Sequence, residues 1–144
     1  MPFHGIHDHS LDAKNRLTVP SKARASLAGG VTISMGFEKC LQVWPSADHT
    51  QLVSQAMAGL NPFGPEARDL NRFFFSSTTQ VELDSAGRVP ISAEQAAHAG
   101  IAKAVKVIGA GPCLELWDEA TWSAKNADLT ARAADLIASV GHPA

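Results

Sequence analysis

Two stretches of this chain occur twice. Leu11-Asp12-Ala13-Lys14-Asn15-Arg16-Leu17 returns as Leu83-Asp84-Ser85-Ala86-Gly87-Arg88-Val89, and Cys40-Leu41-Gln42-Val43-Trp44 returns as Cys113-Leu114-Glu115-Leu116-Trp117. The first pair is offset by 72 residues and the second by 73, so the halves align with a single one-residue gap. The chain has 2 cysteines and 3 tryptophans; both cysteines and two of the tryptophans fall in register. Such agreement at rare positions indicates an internal duplication of roughly 70 residues, and any fold must therefore form one unit twice. The duplication also repeats an Asp-x-x-x-Arg, which puts one arginine at an equivalent place in each half. A matched pair of arginines suits a repetitive polyanion better than one asymmetric substrate.

Each half follows one order of elements. Ile6–Leu11 and Thr79–Leu83 are predicted strands, the second alternating Val81 and Leu83 inward with Gln80 and Glu82 outward. Asp12–Asn15 and Asp84–Gly87 have turn composition, with Asn15 and Gly87 at the position that needs positive φ. Second strands follow at Arg16–Val19 and Arg88–Ile91. Short helices come next: Lys22–Leu27 capped by Ser21, and Ala93–Ala99 opened by a Ser92/Gln95 capping box. Strand pairs Val31–Met35 with Leu41–Trp44, and Ala104–Ile108 with Leu114–Trp117, complete the sheet elements. Each half ends in a helix, one capped by Ser46 and one by Asp118. The unit is β-β-α-β-β-α, twice, in an α+β chain that is mainly β. The divisions are a first repeat at 1–60, a connecting helix (Glu66–Phe75) and linker at 61–78, a second repeat at 79–123, and a tail at 124–144. In that tail Ala127–Val140 reads as a weak amphipathic helix that orders only against a partner.

Composition narrows the chemistry less than position does. The net charge of -2 argues against a generally basic nucleic-acid binder, yet a local patch is what meets phosphates. No apolar run is long enough to span a bilayer, and Met1–Gly5 lacks the basic and apolar regions of a signal peptide, so a cytoplasmic protein without membrane contact is expected. Cys40 and Cys113 each begin an apolar strand outside any C-x-x-C, and read as reduced, partly buried thiols.

Arg16 and Arg88 leave tight turns, and arginine is the side chain for bidentate bonds to guanine or phosphate. Lys14, Asn15, Lys22 and Arg24 accompany Arg16 and are candidate phosphate contacts. The second loop has no lysine, so Arg88 ranks as the secondary contact. Asp12 and Asp84 read as turn braces, since carboxylates are poor phosphate ligands and good arginine partners. Two duplicated aspartates also raise the idea of a hydrolytic dyad. That chemistry wants a small hydroxyl and a glycine after each Asp, whereas Ala13-Lys14 and Ser85-Ala86 follow here. His4, His7 and His9 cluster without a completing ligand set, so no metal is expected. Phe73–Phe75 and the tryptophans read as core or interface residues. No phosphate loop or nucleophile elbow occurs, and neither an enzyme nor a cofactor is expected.

Beyond these readings, the residues resemble a known family. Phe3-x-Gly5, the Leu-Asp-x-Lys-x-Arg-Leu-x-Val-Pro of 11–20, Arg72-Phe73-Phe74-Phe75-Ser76, the Glu-Leu-Asp-x-x-Gly-Arg of 82–88 and the two Trp-ending strands together resemble MraZ regulators of the division and cell-wall gene cluster. The resemblance spans residues 1–123. It implies tandem AbrB/SpoVT-type modules forming a swapped-hairpin β-barrel with helices packed outside. It further implies a homo-oligomeric ring, an octamer or dodecamer. On this reading the ring binds short direct repeats in promoter DNA through the Asp-x-x-x-Arg loops, as a nucleoid-associated repressor. Asn15 stands where that family has glycine, Ser92 where it has proline, and the second loop lacks its lysine. The rival reading is a ring-forming protein-interaction module whose arginines only brace their turns.

Overall fold

The computed structural model describes residues 2–141. Its strands are β1 (Ile6–Ser10), β2 (Arg16–Thr18), β3 (Val31–Met35), β4 (Leu41–Pro45), β5 (Thr78–Val81), β6 (Arg88–Pro90), β7 (Ala104–Gly109) and β8 (Leu114–Trp117). Its helices are α1 (Arg24–Leu27), α2 (Ser46–Met57), α3 (Pro65–Ser76), α4 (Ala93–Ala99) and α5 (Glu119–Val140), with a 3-10 turn over Ser21–Ala23. The strands form a six-stranded antiparallel sheet in the order β1-β7-β8-β4-β3-β5 and a two-stranded sheet of β2 and β6. No closed barrel is formed among the described residues.

The sheet order carries the duplication into three dimensions. Replacing every strand by its counterpart in the other half returns the same order reversed, the signature of a pseudo-twofold axis. Each half gives a strand away. β1 of the first half pairs with β7 of the second, and β5 of the second pairs with β3 of the first. Counterparts meet on the axis, β4 against β8 and β2 against β6. Strands of three residues cannot hold a sheet by themselves. β2 and β6 persist because Leu17 and Val89 stand directly opposite each other, both fully buried.

One apolar cluster joins the halves. It contains Leu11, Leu17, Val19, Leu27, Ile33, Leu41 and Val43 from the first and Val89, Ile91, Ala99, Val105, Leu114 and Leu116 from the second. Emptying any of its leucines costs about 2–5 kcal/mol in comparable cores. Val81 and Leu83 pack against it while Gln80 and Glu82 stay exposed, as their alternation requires.

Two predicted caps are corrected. Ser21 and Ser46 do not cap: the residues before their helical turns are Pro20 and Pro45, with no side-chain cap. Ser46 lies inside α2, and its hydroxyl bonds Thr32 Oγ1 at 2.9 Å instead. The second half keeps its caps. Ser92 Oγ accepts from Gln95 N at 3.1 Å, Gln95 Oε1 accepts from Ser92 N at 3.1 Å, and Asp118 accepts from Thr121 N. The Asp118 helix and the amphipathic stretch of the tail are one continuous helix of 22 residues.

Candidate nucleic-acid interface

The two Asp-x-x-x-Arg turns lie where β1 gives way to β2 and where β5 gives way to β6. In the first, Asp12 N donates to Arg16 O and Asn15 N to Asp12 O, both at 3.0 Å. Asp12 Oδ1 accepts from the backbone of Lys14 and Arg16 at 2.9 Å each, and Oδ2 accepts from Arg16 Nε at 2.8 Å. The second turn repeats this bond for bond: Asp84 Oδ1 accepts from Ala86 N and Arg88 N at 2.9 Å, and Oδ2 from Arg88 Nε at 2.7 Å. Backbone N–H donors, above all those of Arg16 and Arg88, hold both carboxyls below the ordinary carboxylate range against a desolvation that pushes the other way. Each carboxylate is committed to its own turn, which leaves neither one the freedom a shared-proton dyad needs.

Asn15 and Gly87 occupy the left-handed region, with φ of 56° and 74°. Asparagine is the non-glycine residue that tolerates it best. The turns are also tied to each other across the axis: Val19 N donates to Gly87 O, and Ile91 N to Asn15 O, each at 2.9 Å. The arginines do not hang free from the hairpin tips. Their side chains are 28% and 32% exposed, drawn in by the aspartates.

The manner of that anchoring separates the arginines of the chain into two groups. Arg16 and Arg88 are bonded through Nε alone, as is Arg24, whose Nε donates to Val19 O at 3.0 Å. Their terminal Nη groups have no protein partner among the described residues. Arg68 and Arg72 instead spend an Nη group on Phe63 O and Asp69, and Arg132 engages Asp128 through both Nε and Nη2. A guanidinium fixed at Nε and open at both Nη atoms is oriented and still able to grip an anion bidentately.

Of the residues the sequence grouped around Arg16, Lys14 and Asn15 are exposed on the same turn. Arg24 is not there. It lies against the second turn, where a Cβ on Gly87 would come within 2.7 Å of its Cδ and Cζ. Lys22 is exposed and lines a cleft of about 730 Å³ with Phe3, His4, His7 and Asp48. His7 and His9 share a face of β1, ring centroids 6.5 Å apart, and no set of three metal-competent side chains forms among the described residues. Burial, then the neighbouring His7, keep His9 below its usual pKa, and the Arg24 charge adds to this.

Several residues proved structural. Trp44 and Trp117 are buried, and Trp122 packs on Trp117. Cys40 and Cys113 are buried free thiols, pushed up to about 12 chiefly by burial. Gln95 went unrecognised beyond its cap: its Nε2 also donates to Ile33 O and Thr79 Oγ1, clamping β3 to β5. Phe73 and Phe75 are exposed, with the fully outlying Phe37 stacked on Phe73 at 5.3 Å. No described helix is long and apolar enough to cross a membrane.

Comparison with known proteins returns the duplication. The family model described as "MraZ protein, putative antitoxin-like" matches residues 3–73 and again 74–137. A protein named Transcriptional regulator MraZ from Saccharopolyspora erythraea is 39% identical over 121 residues, 83% of either chain. One of the same name from Thermobifida fusca is 38% identical over 121 residues, 84% of either chain. Another, from Lachnoclostridium phytofermentans, is 33% identical over 139 residues, 96% of this chain and 97% of its own.

Proposed function

The chain belongs to the MraZ family, and from that premise we propose that it is a sequence-specific DNA-binding transcriptional regulator, a repressor that reads short direct repeats in promoter DNA. The observation that carries this reading is the pair of turns in which an aspartate fixes an arginine through Nε and leaves its Nη groups open. Such a pair, related by a pseudo-twofold axis, presents the same anion-gripping group twice. Arg16 and Arg88 contact base or phosphate, Arg88 ranking second on local sequence alone, with Lys14, Asn15, Lys22 and Arg24 on phosphates and Asp12 and Asp84 as braces. The exchange of β1 and β5 between halves supports the swapped-hairpin form of the AbrB/SpoVT module.

A chain of net charge -2 holds DNA weakly through one copy. Joining copies makes each later contact intramolecular and adds about 10²–10⁴ in avidity. The exposed Phe37, Phe73 and Phe75, and an apolar groove of about 330 Å³ between α2 and α3, support self-association into a ring, an octamer or dodecamer in which every copy offers the same edge. The protein would then work in the cytoplasm, on the nucleoid.

The test is binding of the purified protein to the promoter upstream of its own gene, with one, two or three repeats and at several salt concentrations. Binding should require at least two spaced repeats and fall by about 0.9 log units per tenfold salt for each neutralised phosphate. Equal binding to one and three repeats would remove the multivalent mechanism. Absence of any specific shift at moderate salt would favour the rival, an interaction module whose arginines serve only their turns; the Asp–Arg bonds are what that rival would build on.

A further inference from the structure

We propose that Arg24, although carried by the first half, completes the DNA-reading loop of the second half as its missing second cation; this rests on the DNA-binding reading above. The second turn lacks a lysine because Ala86 stands where the first has Lys14. Chain exchange supplies a substitute. Val19 N donates to Gly87 O at 2.9 Å, which lays the Val19–Arg24 segment along the second turn. Arg24 then folds over Gly87 so closely that a Cβ there would meet its Cδ and Cζ at 2.7 Å. Its Nε is spent on Val19 O at 3.0 Å, and its Nη groups have no protein partner among the described residues. That is the arrangement shared only with Arg16 and Arg88 among the six arginines.

The asymmetry between the halves fits this assignment. The residue in register with Arg24 is Ala96, so nothing equivalent covers the first turn. There the left-handed position carries Asn15, and at the second it must be glycine, because Arg24 fills the space a side chain would take. The first loop therefore presents Lys14 and Arg16, and the second presents Arg88 and Arg24. Two cations per loop make the halves equal readers, and Arg88 is not a secondary contact.

A double-mutant cycle on full-length protein and a two-repeat promoter DNA tests this. Arg24→Ala should weaken binding by about tenfold per engaged repeat, the loss of one good arginine contact. It should also lower the salt slope by about one unit. Combined with Arg88→Ala, the loss should be smaller than the product of the two single losses, because both serve one loop. Combined with Arg16→Ala, the losses should multiply. Arg24→Gln, which keeps a donor on a similar stem without charge, should behave as Arg24→Ala and carries the test if the alanine variant unfolds. Coupling of Arg24 to Arg16 rather than Arg88, or wild-type affinity in both Arg24 variants, would overturn the proposal while the wild-type shift leaves the DNA reading standing. Failure of the wild type to bind any promoter DNA would overturn both.

Discussion

The turns at Asp12–Arg16 and Asp84–Arg88 make the same five hydrogen bonds, yet they sit in different company. The first has its cations on its own chain segment, Lys14 beside Arg16, and an exposed Asn15 at the left-handed position. The second has only Arg88 on its segment, a buried Gly87, and an arginine arriving from the other half. A duplicated motif thus kept its internal bonding, which depends on five consecutive residues, while its surroundings diverged wherever tertiary neighbours could compensate. The lesson is that local geometry and local charge are conserved by different means. The Asp–Arg brace needs the right residues in order; the cation count needs only the right neighbour in space.

The largest expected effect tests the parity of the two turns. Arg16→Ala and Arg88→Ala should each remove specific DNA binding by an order of magnitude or more per repeat, a contact of this kind being worth about 1–3 kcal/mol. Both variants should melt within a few degrees of the parent, since the arginines are partly exposed and away from the core. Gel shifts beside thermal melts decide it, and an Arg88→Ala protein that binds almost normally would restore the first turn as sole reader.

A smaller effect separates the left-handed positions. Gly87→Ala should cost about 1–2 kcal/mol in backbone strain and should also displace Arg24, lowering both Tm and DNA affinity. Asn15→Gly should leave Tm almost unchanged, because that position is exposed and glycine accepts the same φ, and should lower DNA affinity only by its own single phosphate contact. Equal responses at the two sites would show that Arg24 does not lie over Gly87 in solution.

The halves should also differ in their caps. Ser92→Ala removes a complete capping box and should cost about 1 kcal/mol. Ser21→Ala, one residue past Pro20, which is the first-half counterpart of Ser92, breaks no cap bond and should lie within about 0.5 kcal/mol of the parent. Chemical denaturation of the two variants gives the comparison directly.

The smallest effect is shared by the turns. Asp12 and Asp84 have folded-state pKa values below the ordinary 3.8, so the native state binds fewer protons than the unfolded one at mildly acidic pH. Their contribution to stability is present above that ordinary value and is lost as pH falls through the lowered one. Melting temperature should begin to drop below about pH 4, and Asp12→Asn with Asp84→Asn should flatten that drop. An acid limb that is identical in the double variant would remove these carboxylates as its source.

Much of this was written in local sequence. Val31–Met35 and Leu114–Trp117 kept their limits because the turn residues beside them are neighbours in the chain, and Ser92 with Gln95 spelled out a cap because its partners are three residues apart. The Ser21 and Ser46 caps misled for the opposite reason: Pro20 and Pro45 enter their helical turns with extended backbone and take the cap position themselves. The amphipathic stretch Ala127–Val140 continues a helix that begins after the Asp118 cap and is seated by Trp122 on Trp117, a continuity that local periodicity alone does not reveal.

What the sequence by itself determined is the repeated unit and the Asp–Arg turn, since every bond of that turn closes within five residues. What only the tertiary structure decided is which half each strand serves and where Arg24 comes to rest. Repeats so similar can pair a strand with its own sheet or with its counterpart's, and nothing within either repeat distinguishes the two. The choice is made by burying Leu17 against Val89 and closing one core over both halves, a gain realised only when the complete chain is folded.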